Sequence, residues 1–241
     1  MKKRSLIMLV CTALILSSIA FGTIAYLTAQ DEVTNTFTVG KVSIKVDEAE
    51  VDADGKPVTD GNGLDVRTDM NDYTLVPGKE YTKDPTLTVL KNSEDCYVRM
   101  LVTYNKAAEL NALFPADSEG NKPLYMVEDL NTTDWKLTST VEDAASNTIT
   151  FIFNYFNTES QNGIALGSAA DNVLPPLFET VKVPATLTGD QMATLEGLQI
   201  LAKGQAIQVE ATGSEAEAWQ LFSVQHPAAT ATTAPAVTPE P

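Results

Sequence analysis

Between residues 36 and 47 apolar and polar side chains alternate, with Phe37 and Val39 followed by Val42, Ile44 and Val46. A period of two describes a strand with one buried face, and its single break at Gly40 predicts a bulge or kink there. Glu48–Asp72 follows, rich in Asp and Gly and poor in apolar residues, and reads as an exposed loop in which Asp54-Gly55 is a turn able to join two short strands. Val76-Pro77-Gly78 is a second turn. Thr86–Leu90 and Cys96–Tyr104 read as strands separated by the turn Lys91–Asp95. Ala107, Leu110, Leu113 and Phe114 recur at helical spacing, which predicts a short helix over Lys106–Phe114 ended by Pro115.

Leu124–Val127, Trp135–Val141 and Thr148–Phe156 read as further strands, the last two as a hairpin over Glu142–Asn147. Ile149, Phe151, Phe153 and Tyr155 share one face of the third, with Ile152 opposite. A short strand is expected at Glu179–Val183, before Pro184, and a long one at Leu198–Ala211. Thr188 can cap a helical turn through Leu195, and Ser214-Glu215-Ala216-Glu217 has the form of a capping box opening a helix that ends near Val224. Eight or nine short strands with a few inserted helices describe a mainly β fold, a jelly roll or β-sandwich. Nothing repeats at a fixed period.

The two ends differ from this middle. Lys2-Lys3-Arg4 and the apolar run Leu6–Phe21 form the basic and hydrophobic regions of a signal peptide, and Gly22-Thr23-Ile24-Ala25 brings small residues to the cut, Thr23 at −3 and Ala25 at −1. Cleavage after Ala25 makes Tyr26 the first mature residue; a cut after Ala29 and retention as an anchor are the other readings. From Pro227 onward the chain is almost wholly Ala, Thr and Pro, a composition that cannot build a core and is expected to be a linker, a spacer or a disordered tail. The domain map is therefore signal peptide 1–25, an N-terminal segment 26–40, a β domain 41–225 and a tail 226–241.

Charge narrows the partners. Past the leader the chain holds 13 basic and 32 acidic side chains, and 13 − 32 = −19. Such a surface repels phosphates, which argues against nucleic acid and anionic membranes. Cys11 lies in the leader, so the mature chain keeps Cys96 alone and can form no internal disulfide. His226 is the sole histidine, which removes H-E-x-x-H zinc sites, Ser-His-Asp triads and Cys-His dyads by arithmetic. Asn131-Thr132-Thr133 has the form of a glycosylation sequon and reads as a loop. The acidic loop offers oxygen ligands of the kind calcium takes, with Asp52, Asp54, Asp60 and Asp65 as candidates. The rival reading of the same residues is a solvated acidic loop, and the expected complement of cofactors is otherwise none.

Gly22-Thr23-Ile24-Ala25-Tyr26-Leu27-Thr28 followed by Val33-Thr34-Asn35-Thr36-Phe37-Thr38-Val39-Gly40 resembles the N-terminus of the TasA/camelysin family. Pro77-Gly78 with Lys83-Asp84-Pro85-Thr86, and the Tyr97-Val98-Arg99 strand, are similar to later family segments, and the likeness extends to about Val224. It implies processing by a SipW-type signal peptidase, a jelly-roll domain, and secretion to the matrix or cell surface of a Gram-positive type of bacterium without a stable membrane anchor after cleavage. It further implies assembly into biofilm-matrix fibres by head-to-tail self-association, other matrix proteins being further partners, in which a freed N-terminal strand joins the next subunit. On this chain that segment carries Tyr26, Leu27, Val33, Phe37 and Val39, and the rival reading of the same residues is a first strand paired within its own sheet. A structural subunit is thus expected rather than an enzyme. The rivals are an adhesive or binding module with the tail as spacer, and a camelysin-like surface metalloprotease, for which no histidine ligand set is present.

Overall fold

The computed structural model describes residues 41–211 and 213–226. Its strands in the first half are β1 (Ile44–Ala49), β2 (Arg67–Thr68), β3 (Glu80–Thr82), β4 (Thr86–Val89) and β5 (Cys96–Asn105), followed by helix α1 (Ala107–Leu113). The second half holds β6 (Trp135–Asp143), β7 (Thr148–Tyr155), β8 (Ile164–Ala165), β9 (Asn172–Val173) and β10 (Thr180–Lys182). Helix α2 (Gly189–Thr194), β11 (Ile200–Gln208), a 3-10 turn Val209–Ala211 and helix α3 (Glu215–Gln225) complete it. The described chain is mainly β with a few short helices, as its sequence pattern predicts.

Two sheets bury their inner faces in one core. The larger has the order β11-β5-β7-β6, with β8 pairing β5 beside the end of β7. Strand β5 sends Val98, Met100, Val102 and Tyr104 inward, and β7 contributes Ile149, Phe151 and Phe153 from the facing register. The smaller sheet has the order β2-β1-β4-β9 and supplies Leu87 and Val89. Gly204 of β11 is a point of close approach between the two sheets. A β-carbon there would lie 2.7 Å from Val46 Cγ2 and 2.9 Å from Leu87 Cδ1, so a glycine lets the strand meet β1 and β4. A two-stranded ribbon of β3 and β10 closes one side.

Most expected elements form within a residue or two of their predicted ends. Strand β1 starts at Ile44 and runs past Asp47 to Ala49; its predicted beginning and the break at Gly40 lie outside the described residues. Three expectations change. Leu124–Val127 is no strand: Met126 has φ 62°, and the segment turns, with Tyr125 and Met126 buried and a lone bridge from Val127 to Val181. Its apolar residues serve the core through a bend rather than a ladder. The loop Glu48–Asp72 is more ordered than expected, because Val51 bridges Pro57, Thr59 bridges Asp65 and Arg67–Thr68 returns to pair with β1. The strand expected over Leu198–Ala211 is shorter, ending at Gln208 in the 3-10 turn.

Capping explains where the helices begin. Thr188 accepts from the Gln191 amide while the Gln191 side chain accepts from the Thr188 amide, a complete capping box. Ser214 accepts from the Glu217 amide at the start of α3, but Glu217 returns its bond to the Gly213 amide. Helix α3 lies on the outer face of the larger sheet, where Ala218 and Trp219 pack with Ile207.

Candidate functional site

Strand β1 pairs with β4 along Ile44–Asp47, whereas β2 covers its other side only at Glu48 and Ala49. Strand β11 pairs with β5 along its whole length. Among the described residues no strand occupies the second edge of β11 or of Ile44–Asp47. Residues of both strands line a cavity of about 510 Å³. Its apolar lining includes buried Tyr81, Met126 and Val181 together with Val46, Leu75, Leu198, Ile200 and Ala202, which are only half-buried although they pack against the core. Leu201, facing outward at the same rim, is 43% exposed. Unpaired backbone beside half-covered apolar side chains is what a further strand completes.

One end of the groove is charged. Lys83 Nζ stands 2.5 Å from Glu48 Oε2, and both side chains are more than nine-tenths buried. The other oxygen of Glu48 accepts from Asn71 Nδ2 at 2.9 Å. That amide also donates to Ala49 O at 2.8 Å, and its oxygen accepts from the Val51 amide at 3.0 Å. The Tyr73 ring lies under Lys83, 5.5 Å from Nζ, and its hydroxyl donates to Thr82 O. Burial, with the charge of Glu48 adding to it, pushes the Tyr73 phenol well above its ordinary range. Arg67 is tied to Asp84 and Asp47. Burial pulls its guanidinium down, but the bonds and charges of Asp84 and Asp47 outweigh this and hold it above its usual value.

The cluster of Glu48, Asn71 and Lys83 comes from three separate segments and was not singled out in the sequence. Asn71 carries no local signal, since its partners are fixed by the fold. Lys83 and Asp84 do belong to the Lys-Asp-Pro run noted above, and both are structural anchors: Asp84 Oδ1 accepts from the Ala49 amide at 2.6 Å.

The processing residues Thr23, Ala25 and Tyr26 and the segment residues Leu27, Val33, Phe37 and Val39 lie outside the described residues. The calcium candidates lie in two consecutive turns. Asp52 Oδ1 accepts from the amides of Asp54 and Lys56 at 2.8 and 3.0 Å, and Asp60 Oδ1 accepts from Asn62 and Leu64 at 2.8 and 3.0 Å. Asp54 stands 3.7 Å from Lys79, and Asp65 sits in the bridge to Thr59. Asp117 repeats the arrangement with Glu119 and Asn121, an occurrence the sequence reading missed. The signal is Asp followed three residues later by Gly, in Asp52–Gly55, Asp60–Gly63 and Asp117–Gly120, where the glycines have φ of 75°, 80° and 85°. Among the described residues no three His, Cys, Asp or Glu side chains converge as a metal ion requires. Compared with family models, with curated proteins and with solved structures, the chain matches none of them.

Proposed function

We propose that the chain is a secreted structural subunit of an extracellular matrix, in which residues 26–39 of one molecule add as a strand to the groove between β1 and β11 of the next. On this reading a SipW-type signal peptidase cuts after Ala25, the mature domain is a jelly roll, and the contact is head-to-tail. Such a contact does not close on itself and so grows filaments. The observation that supports it is a pair of strand edges, unpaired among the described residues, whose residues line one cavity with half-covered apolar side chains.

The energetics allow it. About six ladder bonds at roughly 0.5–1.5 kcal/mol each and two or three buried apolar side chains at about 1.5–3 kcal/mol each give on the order of 6–18 kcal/mol. Association and ordering remove about 4–15 kcal/mol of that. Gain and cost are of similar size, so growth of the filament depends on concentration. Acidic repulsion between subunits adds a salt dependence, since a net charge of −19 past the leader is carried by every copy.

The test compares a chain beginning at Tyr26 with one beginning at Lys41, by sedimentation and negative-stain imaging over a range of concentrations. Filaments from the first and monomers from the second are expected. Equal polymerisation of the two overturns the mechanism.

A further inference from the structure

We infer that Lys83 and Asn71 become joined by an intramolecular isopeptide bond, with Glu48 as the acid–base group that makes it. The groups required for such a condensation stand together at the charged end of the groove. Nucleophile and leaving group sit on the two oxygens of one carboxylate: Lys83 Nζ on Oε2 at 2.5 Å and Asn71 Nδ2 on Oε1 at 2.9 Å. The Asn71 amide oxygen points at the Val51 backbone N–H, 3.0 Å away, which is the donor a developing oxyanion needs. Burial of Lys83 and Glu48 keeps water from competing, and holding both reactants on one group replaces a bimolecular encounter by an oriented one.

The step balances without an oxidant or a co-reactant. Glu48 takes a proton from the Lys83 ammonium, and the free amine attacks Asn71 Cγ. The Nζ–Cγ bond forms, the oxyanion leans on the Val51 N–H, and the Cγ–Nδ2 bond breaks. Of the two protons lost by Nζ, one goes to Nδ2, which leaves as ammonia, and the other stays on Glu48. Two buried charges are thereby replaced by an amide and a neutral acid, which relieves the desolvation that a buried ion pair carries. The product ties the stretch after β2 to the end of β3, closing the ring 71–83 beside β1. The inference does not depend on strand addition.

The experiment is intact-mass measurement of the secreted, denatured chain, followed by tryptic mapping. A mass lower than that of the mature sequence by one ammonia is expected. Trypsin should leave Lys83-Asp84 uncut and release one branched peptide that joins residues 68–79 to residues 80–91. Glu48→Gln keeps the shape but cannot take the proton, and should restore both the full mass and cleavage at Lys83. Because the mass is read on the unfolded wild-type chain, the inference stays testable even if that variant folds poorly; Lys83→Arg, which keeps the charge, is the second control and should also show the full mass. A wild-type chain of full mass overturns the inference. So does a missing ammonia that maps to a succinimide at Asn62-Gly63 or Asn162-Gly163, and a Glu48→Gln chain still cross-linked to the wild-type extent removes Glu48 from it.

Discussion

The guanidinium carbon of Arg99 lies 4.2 Å from the centre of the Trp219 ring, and this contact seats the C-terminal helix α3 on the larger sheet. Arg99 projects from the outer face of β5, 8% exposed, with Nε donating to Gln205 Oε1 at 2.7 Å and the Phe222 ring 5.4 Å away. Trp219 in turn donates from Nε1 to Glu215 Oε1, which also accepts from Asn154 of β7. Among the described residues no carboxylate lies within ion-pair distance of Arg99, and burial pulls its guanidinium below the usual value. Aromatic faces stand where an anion would otherwise be needed.

Trp219→Ala should therefore release α3 before anything else. The truncation of a buried tryptophan costs about 3–5 kcal/mol in a closed core, but the helix can undock at a smaller cost. Hydrogen exchange should show the amides of residues 218–225 losing protection while β5 and β7 keep theirs. Uniform loss across the sheet would mean that α3 is part of the main cooperative unit.

Gly204→Val addresses a close approach of the two sheets. Its side chain would have to displace Val46 and Leu87, both in strands that carry the core, so a loss of about 1–3 kcal/mol or more is expected in urea unfolding. Gly61→Ala is the control, since nothing lies within 4 Å of its β-carbon position. That change should stay within about 0.5 kcal/mol.

How much of this was legible follows from the range of the interactions. Strands β5 and β7 announce themselves because each alternates against a buried face over its own length, and α2 and α3 because their caps are local. Leu124–Val127 has the composition of a strand, yet its backbone turns at Met126, and a four-residue window cannot tell a strand from a bend that buries the same side chains. β3 spans Glu80–Thr82, too short to show a period, and forms because β10 arrives to pair with it. The candidate groove was visible only as a tendency of its strands to be β. That residues of two strands, each with an edge unpaired among the described residues, line one cavity is a fact of topology, as is the meeting of Glu48, Asn71 and Lys83.

Cys96 should be inert while the protein is folded. It is fully buried, and burial together with the charge of Asp95 pushes its thiol up to about 12. A thiolate is the reactive form, and a free cysteine ordinarily titrates near about 8.5. An alkylating reagent in mildly basic buffer should leave the native chain unlabelled and label it fully in guanidinium. Rapid native labelling would show that the Cys96 end of β5 opens readily.

Acid should loosen the Asp-anchored turns, and the sign follows from their hydrogen bonds. Asp52 is held below its ordinary value chiefly by the Lys56 amide, Asp60 by the Leu64 amide and Asp117 by the Asn121 amide. A carboxylate whose folded-state value is depressed adds stability that is fully present above its unfolded value, about 3.9 for Asp, and that is lost as pH falls through the folded one. Above about pH 5 the three turns therefore contribute in full, and below about pH 4 they weaken together. Nuclear magnetic resonance titration of the three carboxyls should give midpoints below those of the same residues in a denatured chain. The triple variant Asp52→Asn, Asp60→Asn, Asp117→Asn keeps an acceptor oxygen in each turn but removes the charge. It should fold, and its urea midpoint should fall less than that of the wild type between about pH 6 and pH 2. An unchanged acid dependence would place the loss elsewhere.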